Sequence, residues 1–188
     1  MIDDARPRVP GFDDLLAANE SYVARFTSAG LAGTAARGLA VVTCMDSRIE
    51  PLQMLGLSKG DAKILRNAGG RVTDDVLRTL VLATHLLGVT RVMVVVHTDC
   101  RMSKVTDQQV HDAIRDDSGI DTRSLEFRTV DDQARCLEQD VQRIRSWPYL
   151  PAAVSVVGGV YDVSTGRFEV TVPPVDELAA DAERHART

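Results

Sequence analysis

The chain has 188 residues, 22 of them basic and 27 acidic, for a formal net charge of −5. That length suits one domain with a sizeable core, and 44% hydrophobic with 26% charged residues excludes a disordered chain, a collagen-like fibre and a disulfide scaffold. The mild acidity argues against nucleic acid or an anionic membrane as main partner, and eight aromatic residues are too few for large stacking platforms.

Residues 1–10 combine charges with two prolines and read as a flexible arm. From Phe12 the apolar residues fall at 12, 15, 16, 23 and 26, a helical spacing that Gly30 and Gly33 would end. The run Gly38–Cys44 (GLAVVTC) reads as a buried strand. Pro51 sits in the loop after it, and Met54-Leu55-Gly56 suggests a short helical turn. A strand is expected over Lys63–Arg66, closed by Asn67-Ala68-Gly69-Gly70. Thr73-Asp74-Asp75 opens a helix, with a capping hydroxyl and two carboxylates at the positive end of its dipole. Leu77, Leu80, Val81, Thr84 and Leu87 form its apolar stripe, and Gly88 stops it.

Arg91–His97 (RVMVVVH) is the clearest buried strand. Residues 106–116 read as a polar helix, and Val130, Ala134, Leu137, Val141 and Ile144 mark a longer one ending near Pro148. Ala153–Val163 is a strand, and Ser164-Thr165-Gly166 turns it into Phe168–Val172. The segment 175–188 reads as a frayed helical tail. The β-α-β-α-β order predicts an α/β fold: a single domain over 1–188, with a mostly parallel central sheet flanked by helices and an antiparallel edge hairpin near the C-terminus. The N-terminus has charges and prolines where a signal peptide needs an apolar core, and no apolar run reaches bilayer-spanning length. A cytoplasmic location is expected.

Ligands of open parallel sheets bind beyond the carboxyl ends of the strands. Two strands here end in metal-ligating side chains. Cys44 terminates one; His97 terminates another, and Cys100 follows it in His97-Thr98-Asp99-Cys100. Were these strands neighbours, two thiolates and one imidazole would converge, a set that selects zinc over magnesium or calcium. Three protein ligands leave a fourth tetrahedral position open, the catalytic arrangement. Cys136, the third cysteine, falls within a helix after a long connection and is not expected to join them. Asp46 and Arg48, two and four residues past Cys44, can share one side of the chain, the guanidinium orienting the carboxylate; an ordinary loop salt bridge is the alternative.

Cys44-x-Asp46-x-Arg48 followed by His97-x-x-Cys100, with Arg66-Asn67-Ala68-Gly69-Gly70 between them, resembles the β-class carbonic anhydrases over roughly residues 38–172. The resemblance implies Zn2+ held by Cys44, His97 and Cys100, and an Asp46–Arg48 dyad beside it. It also implies a homodimer or higher even oligomer with the active site near a subunit interface. The implied reaction is reversible hydration of CO2 to bicarbonate and a proton by a zinc-bound hydroxide. Asp46 would accept a hydrogen bond from the nucleophile, or ligate zinc itself in a closed state, while Arg48 holds it off the metal. Gly69 and Gly70 would let the backbone pass close to the site, unless they form a plain turn. The family usually has glycine directly after the second cysteine ligand; here it is Arg101, which would narrow the substrate pocket, add positive charge, or face solvent.

Two other functions fit the same residues. One is a zinc hydrolase of carbonyl sulfide or a related small molecule, with Arg101 as the sign of an altered pocket. The other is a non-enzymatic sensor of bicarbonate or redox state, with Asp46 closing the zinc site. A thiol redox protein is disfavoured by the lack of Cys-x-x-Cys. No histidine stands out as a proton shuttle: His85 lies on a helix with an apolar face, His111 on a polar helix, and His185 in the tail.

Overall fold

A computed structural model describes residues 9–175. The chain divides into two compact units, Met1–Leu31 and Ala32–Thr188. The first contains helix α1, Asp13–Val23. Apolar spacing predicted a helix running on towards Gly30, but the chain instead tightens after Val23 into turns, with Arg25 N–H donating to Tyr22 O and Phe26 N–H to Val23 O. No α1 side chain is buried, so no packed face supports further helical turns. Most of the expected arm (1–8) and the tail beyond Val175 lie outside the described residues.

The second unit carries the α/β fold. Its sheet has the order β2-β1-β3-β4-β5. The strands are β1 Leu39–Cys44, β2 Ala62–Asn67, β3 Arg91–His97, β4 Ser155–Tyr161 and β5 Phe168–Val172. The first four are parallel, and β5 returns antiparallel to β4 at the edge. Helix α2 is Pro51–Met54, α3 Asp74–Leu86, α4 Asp107–Ser118 and α5 Gln133–Arg145. Pro51, expected in a loop, instead opens α2, where its missing N–H costs nothing. Thr73 caps α3 by accepting from Val76 N–H. Val130 precedes α5 rather than belonging to it, and Asp132 is the cap. Cys136 therefore lies in the first turn of α5, not mid-helix.

Chain direction explains which face each helix covers. The path steps from β1 outward to β2, then crosses back past β1 to β3 and on to β4. Right-handed crossovers place helices on opposite faces when that direction reverses. Accordingly α3 and α5 share one face, where Val76, Leu77, Leu80, Leu137, Val141 and Ile144 pack on Ala40, Val42, Val92, Val94 and Val96. Met54 of α2, with Leu55 and Leu57, covers Leu39, Val41 and Val95 on the other. The reversal makes the C-terminal ends of β1 and β3 the switch point of the sheet, the place where ligands of open parallel sheets bind. Every residue of β1 is buried, and the Thr43 hydroxyl donates to Val95 O across that junction (3.0 Å). Among the described residues, no helix is long and apolar enough to cross a membrane.

Candidate metal centre

Cys44 and His97 are the last residues of β1 and β3, which are hydrogen-bonded neighbours. Cys100 comes back to them after a tight turn whose Asp99 has φ 57°, in the left-handed region. The three potential ligand atoms all lie within 4.8 Å of one another, and the residues are buried, at 4%, 1% and 4% exposure for Cys44, His97 and Cys100. Cys136 is not part of this group. His97 Nδ1 is 2.9 Å from Thr98 O and donates to it, so the lone pair falls on Nε2. Nε2 is fully buried and has no hydrogen-bond partner. A buried, unpartnered imidazole nitrogen facing two thiols is costly unless a cation occupies the space between them.

The electrostatics agree. The Cys44 thiol is pushed down, chiefly by the Cys100 thiol donating to its sulfur, against burial, with help from His97 and the backbone N–H groups of Asp46 and Gly69. Cys100 is pushed up by the Cys44 sulfur and by burial. His97 is raised chiefly by Cys44, against burial. One sulfur ionises readily, and the second resists because the first lies beside it. Two sulfurs and one imidazole nitrogen suit zinc.

The loops around the triangle are fixed by bonds distant in sequence. Arg66 donates to Cys44 O (3.0 Å) and Asp46 O (2.6 Å), clamping the Cys44-Met45-Asp46 segment. Met45 N–H donates to Asn67 O. Gly70 has φ 66°, and a Cβ there would sit 3.0 Å from Cys44 N and Thr43 C. Its smallness thus lets the loop press on the end of β1, which makes it more than a plain turn. Gly69, at φ 76°, packs beside Met102. Asn67 holds this loop by bonding Arg71 N–H and O, and Arg71 in turn donates to Asp140 of α5 (2.7 Å). On the other wall, Gln133 Nε2 donates to His97 O (2.9 Å).

Asp46 and Arg48 form a two-pronged pair. Nε donates to Oδ1 (3.0 Å) and Nη2 to Oδ2 (2.8 Å), while Arg48 N–H also donates to Oδ1 (2.9 Å). Asp46 Oδ2 lies 4.0 Å from His97 Nε2, so the carboxylate borders the ligand triangle. Arg48 holds the Asp46 carboxyl well below the usual carboxylate range, and Asp46 foremost, then Asp99, raise Arg48. The Asp99 carboxyl is lowered to about 2, first by Lys104 and then by Arg48.

Arg101 opens a single 3-10 turn, Arg101–Ser103; its carbonyl accepts from Lys104 N–H, while its exposed side chain makes no hydrogen bond or ion pair with a described residue. His85 bonds Tyr149 O, and His111 bonds Thr122 and packs at a tilt against Phe127, so both have structural partners. His185 lies outside the described residues. The contacts of Asp99, Arg66 and Gln133 with the site escape sequence reading. The parallel register pairing Cys44 with Asn67 is the one signal that puts Arg66 nearby.

Comparison with known proteins agrees with this geometry. The carbonic anhydrase family profile matches residues 39–168. The β-carbonic anhydrase 1 of Mycobacterium tuberculosis is 38% identical over 162 residues, covering 86% of this chain and 98% of that one. A carbon disulfide hydrolase of Acidianus sp. is 34% identical, over 70% of this chain and 76% of its own. The crystal structure of carbonic anhydrase from Streptococcus mutans superposes with a TM-score of 0.81 at 36% identity, covering 87% of this chain and 99% of that one. With most of its length matched in sequence and in fold, the chain belongs to the β-class carbonic anhydrase family.

Proposed function

We propose that this protein catalyses the reversible hydration of CO2 to bicarbonate and a proton, using zinc held by Cys44, His97 and Cys100. The observation that carries this reading is the buried Cys-His-Cys triangle with an unpartnered His97 Nε2 and the Asp46 carboxylate at its border. Bound zinc would supply Lewis acidity, bringing the pKa of a water molecule towards neutrality. Asp46, kept ionised by Arg48, accepts a hydrogen bond from the attacking water and orients its lone pair towards the carbon of CO2. Arg48 keeps that carboxylate engaged on its own side, away from the metal. Gly70 supports Cys44 from behind, through its close approach to the end of β1.

A second reading, hydrolysis of carbonyl sulfide or carbon disulfide, is favoured by the relationship to carbon disulfide hydrolases. It uses the same triangle and the same dyad. Stopped-flow hydration of CO2 across pH, with zinc content measured on the same sample and carbonyl sulfide turnover alongside, tests both. Stoichiometric zinc with CO2 turnover dominant supports the first reading; dominant carbonyl sulfide turnover replaces it with the second. Zinc without turnover of either points to a closed, non-catalytic site.

The assembly is proposed to be a homodimer or higher even oligomer. Helix α1 and the turns after it leave Phe12, Leu15, Leu16, Val23 and Phe26 exposed, an apolar set that a second copy would cover. Light scattering of the full chain and of a Leu15→Glu, Leu16→Glu variant tests this. A cytoplasmic location is proposed because closely placed Cys44 and Cys100 thiols need a reducing compartment to stay available as ligands.

A further inference from the structure

Residues 46 and 48 sit on one short loop, so their ion pair moves as a body with that loop. By itself the pair carries no information about where the Asp46 carboxylate lies relative to Cys44, His97 and Cys100. A third anchor on a different segment is required, and one is present. Arg48 Nη1 donates to Asp99 Oδ2 (2.8 Å), and Nη2 reaches Asp99 O (3.2 Å). The guanidinium is thus held along two edges, by Asp46 on one and by Asp99 on the other. Asp99 belongs to the His97–Cys100 turn, so it moves with the ligands. Its second oxygen, Oδ1, is taken by Lys104.

We infer that Asp99 is a positioning residue: it ties the Arg48 guanidinium to the ligand-bearing turn, so that Arg48 holds Asp46 at a fixed place beside the metal, and Lys104 steadies Asp99 from behind. The inference rests on the reading that Arg48 must keep Asp46 off the zinc. Residue type fits the position. The backbone here is in the left-handed region, which aspartate enters more readily than most side chains, and glycine would supply that backbone without the carboxylate. Stability does not explain the arrangement. Arg48, Asp99 and Lys104 are 43%, 50% and 54% exposed, and surface ion pairs at such exposure contribute little to folding.

The test uses the full chain with Asp99→Gly, which keeps the backbone conformation, and Asp99→Asn, which keeps one acceptor oxygen. In the metal-free protein, the Arg48 Nη–H signals and their exchange protection are followed by NMR. In the zinc-loaded protein, turnover is measured and the metal's ligands are read by X-ray absorption. Asp99→Gly should keep stoichiometric zinc and its Tm, lose the protection of the Arg48 Nη1 protons that Asp99 accepts and lower turnover by about tenfold or more, with an added carboxylate oxygen on zinc. Asp99→Asn should fall between it and the wild type. Wild-type Arg48 protection and turnover in Asp99→Gly would overturn the inference. Arg48→Ala separates it from its premise: full turnover in that variant refutes the role of Arg48, whereas inactive Arg48→Ala beside unaffected Asp99→Gly refutes Asp99 alone.

Discussion

Two arginine–aspartate pairs lie within the same unit, and they are built for opposite ends. Arg71–Asp140 joins the Asn67–Gly70 loop to α5 across a long stretch of sequence, with side chains only 12% and 6% exposed. Arg48–Asp46 joins residues two apart, at 43% and 18% exposure, and shares its arginine with Asp99. The buried pair is costly to break because either partner alone is left as an uncompensated charge. The exposed pair contributes little to folding, yet it borders the ligand triangle. Burial marks the pair that holds the architecture, and solvent access marks the pair proposed to act on the substrate.

The largest expected effect is on the exposed pair. Arg48→Ala should lower CO2 turnover by about a thousandfold, because Asp46 is freed to occupy the metal, while stability changes by less than about 1 kcal/mol. Steady-state rates with a parallel denaturant curve check both halves. Asp140→Ala should do the reverse, costing about 3–5 kcal/mol of stability as the Arg71 charge is left buried, with modest loss of turnover per folded molecule. A destabilisation under 1 kcal/mol in that curve would erase the contrast between the pairs.

Asp46 sharpens the comparison through pH. Its carboxyl is depressed, so the pair's contribution is present above the unfolded-state value of about 3.9 and is lost only as pH falls through the lower folded-state value. A decline of activity between mildly alkaline and mildly acidic pH should therefore not track Asp46 protonation. It should track competition between Asp46 and hydroxide for the metal, and a crystal structure at mildly acidic pH should show Asp46 on zinc. Asp46→Asn should keep zinc and lose most turnover at every pH.

A smaller effect is expected at Gly70. Gly70→Ala should cost about 1–3 kcal/mol and weaken zinc retention, since the added methyl group meets the backbone of Thr43 and Cys44 at positive φ. Thermal melts and competition with a chelator report the two parts. The smallest effect is at Arg101. With an exposed side chain that has no partner among the described residues, Arg101 should allow Arg101→Gly with an unchanged ratio of CO2 to carbonyl sulfide turnover.

Much of this was legible from residue order because the signals were local. The strand Arg91–His97 matches at both ends, since a short apolar run of four valines and one methionine between two polar residues admits little else. Thr73 capped its helix as its hydroxyl and following acids implied. Cys44, His97 and Cys100 converge because a strand terminus fixes where its last side chain goes. The misreadings have physical causes. Apolar periodicity continued to Phe26, but an unburied face does not sustain a helix. Pro51 follows a strand in a stretch without periodicity, which suggests a loop, yet it starts a helix because its missing N–H costs nothing there. The Arg66 clamp, the Gln133 bond to His97 O and the Asp99–Arg48 contact join residues far apart in sequence. Only the sheet order and register bring them together.

The placement of the ligands on two different strands has a consequence for folding energetics. His97 and Cys100 stay near each other in an unfolded chain, but Cys44 can join them only after closing a long loop, an entropic cost that native β1–β3 pairing has already met. A cation held by all three therefore favours the native state over the unfolded one, by about 2.7 kcal/mol when its free concentration is one hundred times Kd. Linkage runs both ways. Thr43, whose hydroxyl spans to Val95 O and is outside the Cys44, His97 and Cys100 group, would help set how tightly a cation is held there, because loosening β1 against β3 raises the cost of assembling the three donors.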